Sequence, residues 1–131
     1  MKLLIKETDY AVRALCYIAK DKDNIISARG LVRELKIPWP FIRGILQVLH
    51  KKGILVSFRG QGGGFKLAKR PENIFLVDLI KIFQGPIRLN DCIFKKKICP
   101  DNSNCTLKQR IDIIERNFIS DLQDINIKSL M

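Results

Sequence analysis

Apolar residues recur every three or four positions through about the first fifty residues, which is the spacing of a helix with one buried face. Three helices are predicted: one capped by Thr8, a short one capped by Ser27, and one with Pro40 in its first turn that runs to about Lys52 and is stopped by Gly53. Their predicted buried positions are Ala11, Ala14, Leu15 and Ile18, then Leu31, Val32 and Leu35, then Ile42, Ile45, Leu46 and Leu49.

The pattern changes after the third helix. Residues 54–58 and 65–68 are short β-rich runs, and the six residues between them are Arg-Gly-Gln-Gly-Gly-Gly. Glycine adopts positive φ without strain, so this composition predicts a hairpin with a basic, glycine-rich tip. Two short helices followed by such a hairpin are typical of a winged helix, whose later helix enters a DNA groove. A nucleotide-binding loop is disfavoured, because the glycines open no helix and no Lys-Ser or Lys-Thr pair follows them.

The last third of the chain predicts two more helices. One covers 76–84 and is ended by Gly85-Pro86. A long one begins near Thr106, and its apolar stripe is predicted to meet the same stripe of a second copy in a two-fold homodimer; packing over its own domain is the alternative. The stripe consists of Leu107, Ile111, Ile114, Phe118 and Leu122.

The predicted fold class is mainly α with a small β-hairpin wing, a winged helix-turn-helix followed by a long C-terminal dimerisation helix. Residues 1–86 form the predicted DNA-binding domain, 87–105 a cysteine segment that binds a cluster, and 106–131 the dimerisation helix and tail.

Charge points to a polyanionic partner. The 131 residues include 24 Lys and Arg against 13 Asp and Glu, a net charge of +11, and nucleic acid is the leading candidate. An RNA- or ribosome-associated module remains an alternative to a duplex DNA binder. No apolar run approaches a signal peptide or membrane span, so a cytoplasmic location without membrane contact is predicted. No arrangement of His, Ser and carboxylates forms a credible catalytic set, which disfavours an enzyme.

Three of the four cysteines, Cys92, Cys99 and Cys105, lie in one short polar segment. In a reducing compartment such thiols are better interpreted as metal ligands, redox sites or core residues than as disulfides. Thiolates suit iron–sulfur centres and zinc. A set of redox-reactive free thiols is the alternative. Cys16 is predicted to be a small core residue, and His50 to face the surface or the backbone.

Several motifs together resemble the IscR/NsrR-like branch of the Rrf-type winged-helix transcriptional regulators over essentially the whole chain. They are T-D-Y-A-V-R-A-L at 8–15, I-P-W-P-F-I at 37–42, the segment at 49–68 that contains R-G-Q-G-G-G, and D-L-I-K-I-F-Q-G-P at 78–86, followed by the three cysteines. The resemblance implies a homodimeric regulator that binds a palindromic duplex operator and holds an iron–sulfur cluster, with four irons favoured and two possible.

The resemblance also suggests the fourth ligand of that cluster. Relatives of the IscR kind have a histidine three residues after the last cysteine, but this chain has Lys108, a poor ligand. Relatives of the NsrR kind draw a carboxylate from the start of the partner's first helix, and the matching residue is Asp9. Such a labile ligand would suit sensing of nitric oxide, redox or iron–sulfur status. The alternatives are that Asp9 only stabilises its helix end, and that the chain is a thiol- or zinc-based redox switch without an iron–sulfur cluster.

Candidate DNA contacts fall on the third helix and the wing. Trp39, Phe41 and Arg43 lie at the start of the third helix, where Arg43 can pair bidentately with guanine; for the two aromatic residues, packing is the alternative. The resemblance implies that Arg59 enters the minor groove. Predicted backbone or groove-edge contacts are Gln61 and Lys66, and predicted phosphate anchors are Arg29, Arg33, Lys51 and Lys52, for which solvated surface charge is the alternative.

Overall fold

Helices dominate the computed structural model, which describes residues 2–89 and 105–131. Cys92 and Cys99, and with them most of the predicted cluster-binding segment, lie outside those residues. The elements are α1 (Lys6–Lys20), α2 (Ala28–Leu35), α3 (Trp39–Lys51), β1 (Leu55–Phe58), β2 (Gly64–Leu67), a 3-10 turn (Pro71–Asn73), α4 (Leu76–Gln84), α5 (Thr106–Leu122) and α6 (Ile127–Leu130). A mainly α fold with one antiparallel hairpin is confirmed.

Helix α1 lies at the centre of the packing. Its predicted face is buried as expected, with Ala11, Ala14, Leu15 and Ile18 essentially inaccessible. The helix contacts α2, α3, β2, α4 and α6. Small alanine side chains let the neighbouring elements approach closely, and the two larger residues fill the space between them. The predicted stripe of α3 is buried in the same core, whereas Val32 and Leu35 of α2 are only half-buried.

The two predicted helix caps had different outcomes. Ser27 caps α2 as predicted, because its Oγ accepts a hydrogen bond from the Gly30 N–H at 3.0 Å. The Thr8 cap was wrong: α1 begins earlier, after Ile5, whose side chain makes no cap hydrogen bond. Thr8 instead lies inside the first turns of α1 and is fully buried.

A side chain from another helix explains the buried threonine. Gln84, the last residue of α4, accepts hydrogen bonds through Oε1 from the Thr8 hydroxyl at 2.7 Å and from the Ile5 N–H at 3.0 Å. Its Nε2 donates to the Leu3 carbonyl at 3.0 Å. We call this group of contacts the Gln84 junction. It satisfies polar groups at the start of α1 that a local cap would otherwise satisfy, and it ties the end of α4 to that start.

The C-terminal region packs in two different ways. The end of α5 lies on its own domain, with Leu122 and Phe118 against Leu76 and Ile80 of α4. At the start of α5, Leu107 is 68% exposed and Ile114 is 57% exposed, whereas Ile111 between them is half-buried. Among the described residues, apolar packing of α5 over the chain's own domain is therefore concentrated at its C-terminal end.

A short helix that the sequence did not predict, α6, closes the core. Ile127 is fully buried, and Asn126 and Ser129 form a reciprocal capping box. Asn126 also pairs with Phe75 in an isolated β-bridge. Within the described ranges, no helix is both long and apolar enough to cross a membrane.

The Gln84 junction predicts how one substitution changes the stability of the protein. Gln84→Leu leaves the buried Thr8 hydroxyl without an acceptor, so we expect the free energy of unfolding to fall by about 1–3 kcal/mol. Urea unfolding followed by circular dichroism measures it. Gln123→Leu, at an exposed position, is the matched control and should change stability little. Adding Thr8→Val to Gln84→Leu should recover part of the loss, because no hydroxyl is then stranded. Equal stability of Gln84→Leu and the control would contradict the role given to the junction.

Candidate DNA-binding surface and sensor site

The start of α3 presents three candidate residues on its outer side. Pro40 lies in the first turn as predicted, and Ile42 and Ile45 hold the helix to the core. Between those anchors, Trp39 is 44% exposed and Phe41 is 36% exposed, while Arg43 is exposed as well. The helical period thus explains why Ile42 and Ile45 face the core while the other three residues face outwards.

Phe41 also packs against α1. Its ring meets the Tyr10 ring edge-on, with centroids 5.6 Å apart and an interplanar angle of 73°. Lys6 Nζ lies 5.6 Å from the Phe41 centroid, within the range of a cation–π contact. The packing interpretation therefore holds for Phe41 on its α1 side. Trp39 has no such ring contact in the described residues, although it is the larger aromatic side chain.

The wing is an antiparallel pair in which Leu55 lies opposite Leu67 and Phe58 opposite Gly64. The sequence suggested positive φ at each of its four glycines, but only Gly60 and Gly62 adopt it. Gly63 and Gly64 are required for a different reason, close backbone approach. A Cβ on Gly63 would collide with the Phe58 carbonyl, and a Cβ on Gly64 with the Ile26 carbonyl.

Most of the remaining candidate DNA contacts lie on the outside of the fold. Arg59 and Gln61 are exposed in the wing turn, whereas Lys66 on β2 is half-buried. Arg33 Nε lies 3.9 Å from Glu34 Oε1, an exposed pair that contributes little. Exposed candidates on α2 and at the end of α3 are Arg29, Arg33, Lys51 and Lys52.

Both ends of the cysteine segment are attached to α5. The Leu89 N–H donates to Glu115 Oε1 at 2.8 Å, near the middle of the helix. Cys105 is the residue before α5, and its carbonyl accepts from the Gln109 N–H at 3.1 Å. Its thiol is free and half-buried. Lys108, in the position of the relatives' histidine, forms an ion pair with Asp112 at 2.8 Å.

Asp9 is available as a ligand at the start of α1. Its Oδ2 accepts from Arg13 Nε at 3.0 Å, one helical turn away, and both side chains are substantially exposed. Such an exposed pair is worth only about 0.3–0.5 kcal/mol, and Oδ1 has no hydrogen-bond partner among the described residues. A free thiol and a weakly held carboxylate have the chemistry of the implied ligand set. Within 2–89 and 105–131, no three His, Cys, Asp or Glu side chains are grouped to hold a metal ion.

The other cysteine and the histidine match their predictions. Cys16 is half-buried against the main core, and burial raises the pKa of its thiol while nearby Lys20 acts in the opposite direction. Its thiol form is therefore favoured at neutral pH. His50 is exposed at the end of α3, and its Nδ1 lies 3.3 Å from the Leu55 carbonyl.

Three residues of this region were missed by sequence reasoning. Gln84 was noted only within the Q-G-P that ends α4, because a glutamine carries no signal of its tertiary partner. Tyr10 appeared as part of a family motif without a stated contact. Glu115 lies on a polar face of α5, where a carboxylate that binds the Leu89 N–H is indistinguishable by pattern from surface charge.

A family comparison adds an independent observation. The sequence model of the Rrf2 family, described as iron-dependent transcriptional regulators, matches residues 4–131. The chain belongs to the Rrf2 family. Members of this family are DNA-binding transcriptional regulators and not enzymes, so both of those predictions are confirmed.

Individual relatives agree with the family assignment. This Rrf2-family chain is 31% identical to an HTH-type transcriptional regulator of Aquifex aeolicus (strain VF5), over 92% of this chain and 91% of the relative. It is 26% identical to the HTH-type transcriptional regulator NsrR of Shouchella clausii (strain KSM-K16), over 98% and 87%. Its fold is similar to that of CymR, the global cysteine regulator of B. subtilis, with a TM-score of 0.80 at 19% identity, covering 99% of this chain and 96% of CymR.

The surroundings of two glycines, one in the wing and one in α3, predict different effects of alanine substitution on stability. Gly64→Ala forces β2 away from the Ile26 carbonyl, so we expect lower stability and weaker binding of duplex DNA. Gly44→Ala, in an open position of α3, should leave stability unchanged or raise it by up to about 1 kcal/mol. Urea unfolding of both variants measures the difference. A Gly64→Ala protein as stable as the Gly44→Ala protein would contradict the close approach.

Proposed function

We propose that this Rrf2-family regulator acts in the cytoplasm as a homodimer on a palindromic duplex operator. It senses nitric oxide, redox or iron–sulfur status through an iron–sulfur cluster, with four irons favoured over two. The ligands are Cys92, Cys99, Cys105 and Asp9 of the partner subunit. The family's description as iron-dependent and the similarity to an NsrR support this proposal, as does the donor chemistry of Cys105 and Asp9.

The observation that carries the proposal is the position of Asp9 between two contacts. The preceding residue, Thr8, bonds to Gln84, which ends α4 shortly before the cysteine segment begins. The ring of the following residue, Tyr10, packs against the ring of Phe41 at the start of α3. A displacement of the Asp9 carboxylate therefore moves a turn of α1 that contacts both Gln84, just before the cysteine segment, and Phe41 at the start of α3.

That arrangement gives a physical route from ligand loss to DNA affinity. Held by these residues, a cluster would supply iron that reacts with small molecules. Without that ligation the Asp9 carboxylate has only Arg13 as a partner among the described residues, and the start of α1 is no longer held through Asp9. Because the Tyr10 and Phe41 rings are packed edge to face, the start of α3 shifts with the start of α1. Two arrangements of α3 with different operator affinities are all that regulation requires.

Homodimer formation is proposed through the exposed start of α5. Leu107 and Ile114 of the apolar stripe are exposed there, with Ile113 exposed beside them, and burying apolar surface lowers the free energy. A two-fold axis across this helix pairs each stripe with its own copy. It also brings the Cys105 end of one protomer close to the other protomer, as a ligand shared between subunits demands.

DNA binding is proposed for the α3 start and the wing. Trp39 and Arg43 contact base edges in the major groove, with Phe41 at their α1 side, and Arg59 enters the adjacent minor groove. Gln61 and Lys66 contact the backbone or groove edge, and Arg29 and Arg33 neutralise phosphates.

The assignment of Arg43 predicts a loss of both affinity and selectivity. Arg43→Ala should weaken binding to the operator, once selected from a random duplex library, by about 1–3 kcal/mol, roughly 5- to 150-fold. Preference for guanine at one position of each half-site should also disappear. Fluorescence anisotropy and a repeated selection measure the two effects. Lys81→Ala, an exposed position on α4, is the control, and an equal effect from it would refute base contact by Arg43.

The assignment of Asp9 is tested by comparing the two acidic residues in the first turn of α1. Asp9→Ala should abolish the difference in operator affinity between cluster-loaded and apo protein, whereas Glu7→Ala should preserve it. Both variants lose one negative charge near the helix N-terminus, so that contribution to stability cancels. The Arg13 ion pair lost only with Asp9 is exposed and worth about 0.3–0.5 kcal/mol. If the Asp9→Ala protein kept the wild-type difference in operator affinity between its cluster-loaded and apo forms, the proposed coupling through Asp9 would be wrong.

The sensor class itself is tested by the wild-type protein purified without oxygen. A brown protein with iron and acid-labile sulfide near stoichiometry is expected, and Cys105→Ser should lose both. Bound zinc, or reactive thiols without iron, would instead assign the chain to a thiol- or zinc-based redox switch.

A further inference from the structure

A basic concavity lies at the base of the wing, apart from the recognition helix. It measures about 520 Å³ and lies between the turn that follows α1 and the segment from β2 to the 3-10 turn. Four cations line it: Lys22, Lys66, Lys69 and Arg70. We call these four residues the wing-base cluster. Only Lys66 belongs to the DNA contacts proposed above.

The charge of the wing-base cluster is not neutralised by neighbouring carboxylates. Among the described residues, none of its four members forms an ion pair. Glu72 is the acidic residue in the lining, and its Oε1 lies 3.7 Å from Lys128 Nζ, which offsets its charge. Four like charges in a concave surface repel one another, and an anionic partner relieves that repulsion.

The backbone adds a donor on the same side. On the side of β2 away from β1, the Phe65 N–H donates to the Ile26 carbonyl. The direction of the N–H groups alternates along the strand, and the Ala68 N–H donates to the carbonyl of Ile54, the residue before β1. The N–H of Leu67 therefore points away from β1, like that of Phe65. Leu67 borders the concavity, and the bridge of Ile26 reaches only Phe65. Backbone N–H groups at an open sheet edge are suited to anions.

The cations also form a row along the hairpin. Arg59 lies at the tip, Lys66 lies within β2, and Lys69 and Arg70 follow at the base. A four-residue strand spans about 13 Å. On each strand, duplex DNA carries one phosphate per about 3.4 Å of helix axis, so a row of this length parallel to the axis spans about four base-pair steps. An extended row of cations matches a linear polyanion better than a compact one.

We propose that the wing-base cluster binds the phosphodiester backbone of DNA flanking the operator half-site. The DNA passes the wing tip and continues along the hairpin to the concavity, so the contacted duplex is longer than the part next to α3 and the tip. This contact adds affinity without base selectivity, because phosphates carry no sequence information. It requires only DNA binding and does not depend on how the protein senses its signal.

The test compares operator duplexes whose flanks are extended stepwise by up to about one helical turn, roughly 10 base pairs. Wild-type affinity should rise as the flank reaches the cluster. The Lys69→Gln/Arg70→Gln protein should lose that gain, and its plot of log affinity against log salt should be less steep by about 0.9 for each phosphate that the variant no longer neutralises. Lys2→Gln/Lys81→Gln removes the same charge from exposed positions outside the concavity and should retain the gain. Melting temperatures confirm that both variants are folded.

Three results would overturn the proposal. The first is a wild-type affinity that is independent of flank length. The second is a salt slope that changes equally in both variants, since net charge alone would then explain the binding. The third is calorimetric binding of tripolyphosphate that Lys69→Gln/Arg70→Gln abolishes while the flank gain persists. That result would make the concavity a site for free phosphorylated molecules.

Discussion

The burial of one face of α1 is the constraint on which the rest of the structure depends. The small side chains of Ala11 and Ala14 allow other elements to pack close to the α1 backbone. Leu15 and Ile18 pack in the same core. Because α2, α3, α4, α6 and β2 all contact this helix, it cannot tilt without repacking several interfaces. Close-packed interiors respond to such displacements in steps and not by continuous deformation. A change at one end of α1 is therefore well suited to select between discrete arrangements of the whole domain.

The two contacts at the start of α1 differ in kind. The Gln84 junction is a set of directional hydrogen bonds, and the Tyr10–Phe41 contact is an edge-to-face pair of rings. Hydrogen bonds weaken steeply when their angles change, and edge-to-face ring pairs also have a preferred geometry. The polar side thus fixes where α1 begins relative to α4, and the aromatic side links the start of α3 to the same turn of α1. A local cap on Thr8 would have stabilised α1 alone, without connecting it to the end of α4.

What the sequence could predict depended on whether the decisive interaction was local. The span of α4 and the Ser27 cap followed from the helical period and from residues within four positions. Thr8 satisfied the same local rule, yet its partner lies 76 positions away. Gly63 and Gly64 were recognised as turn residues, but the close approach that excludes a Cβ depends on how the hairpin folds back and on the Ile26 segment. The four-residue α6 is too short to show a period, so its burial against α1 became visible only in three dimensions. Cys92 and Cys99 lie outside the described residues, and their ligand roles remain predictions.

The chemistry of the Gln84 junction also limits the kind of signal that can act through it. A carboxamide, a hydroxyl and backbone groups do not ionise near neutral pH, so protonation cannot switch these contacts. Displacement can, because each bond requires a particular placement of the start of α1. Asp9 and Arg13 are the neighbouring charged pair, exposed and weakly coupled, so their exchange with another ligand costs little in folding stability. An uncharged junction beside a loosely held carboxylate therefore supports the proposed response to ligation and gives no basis at this junction for a response to pH.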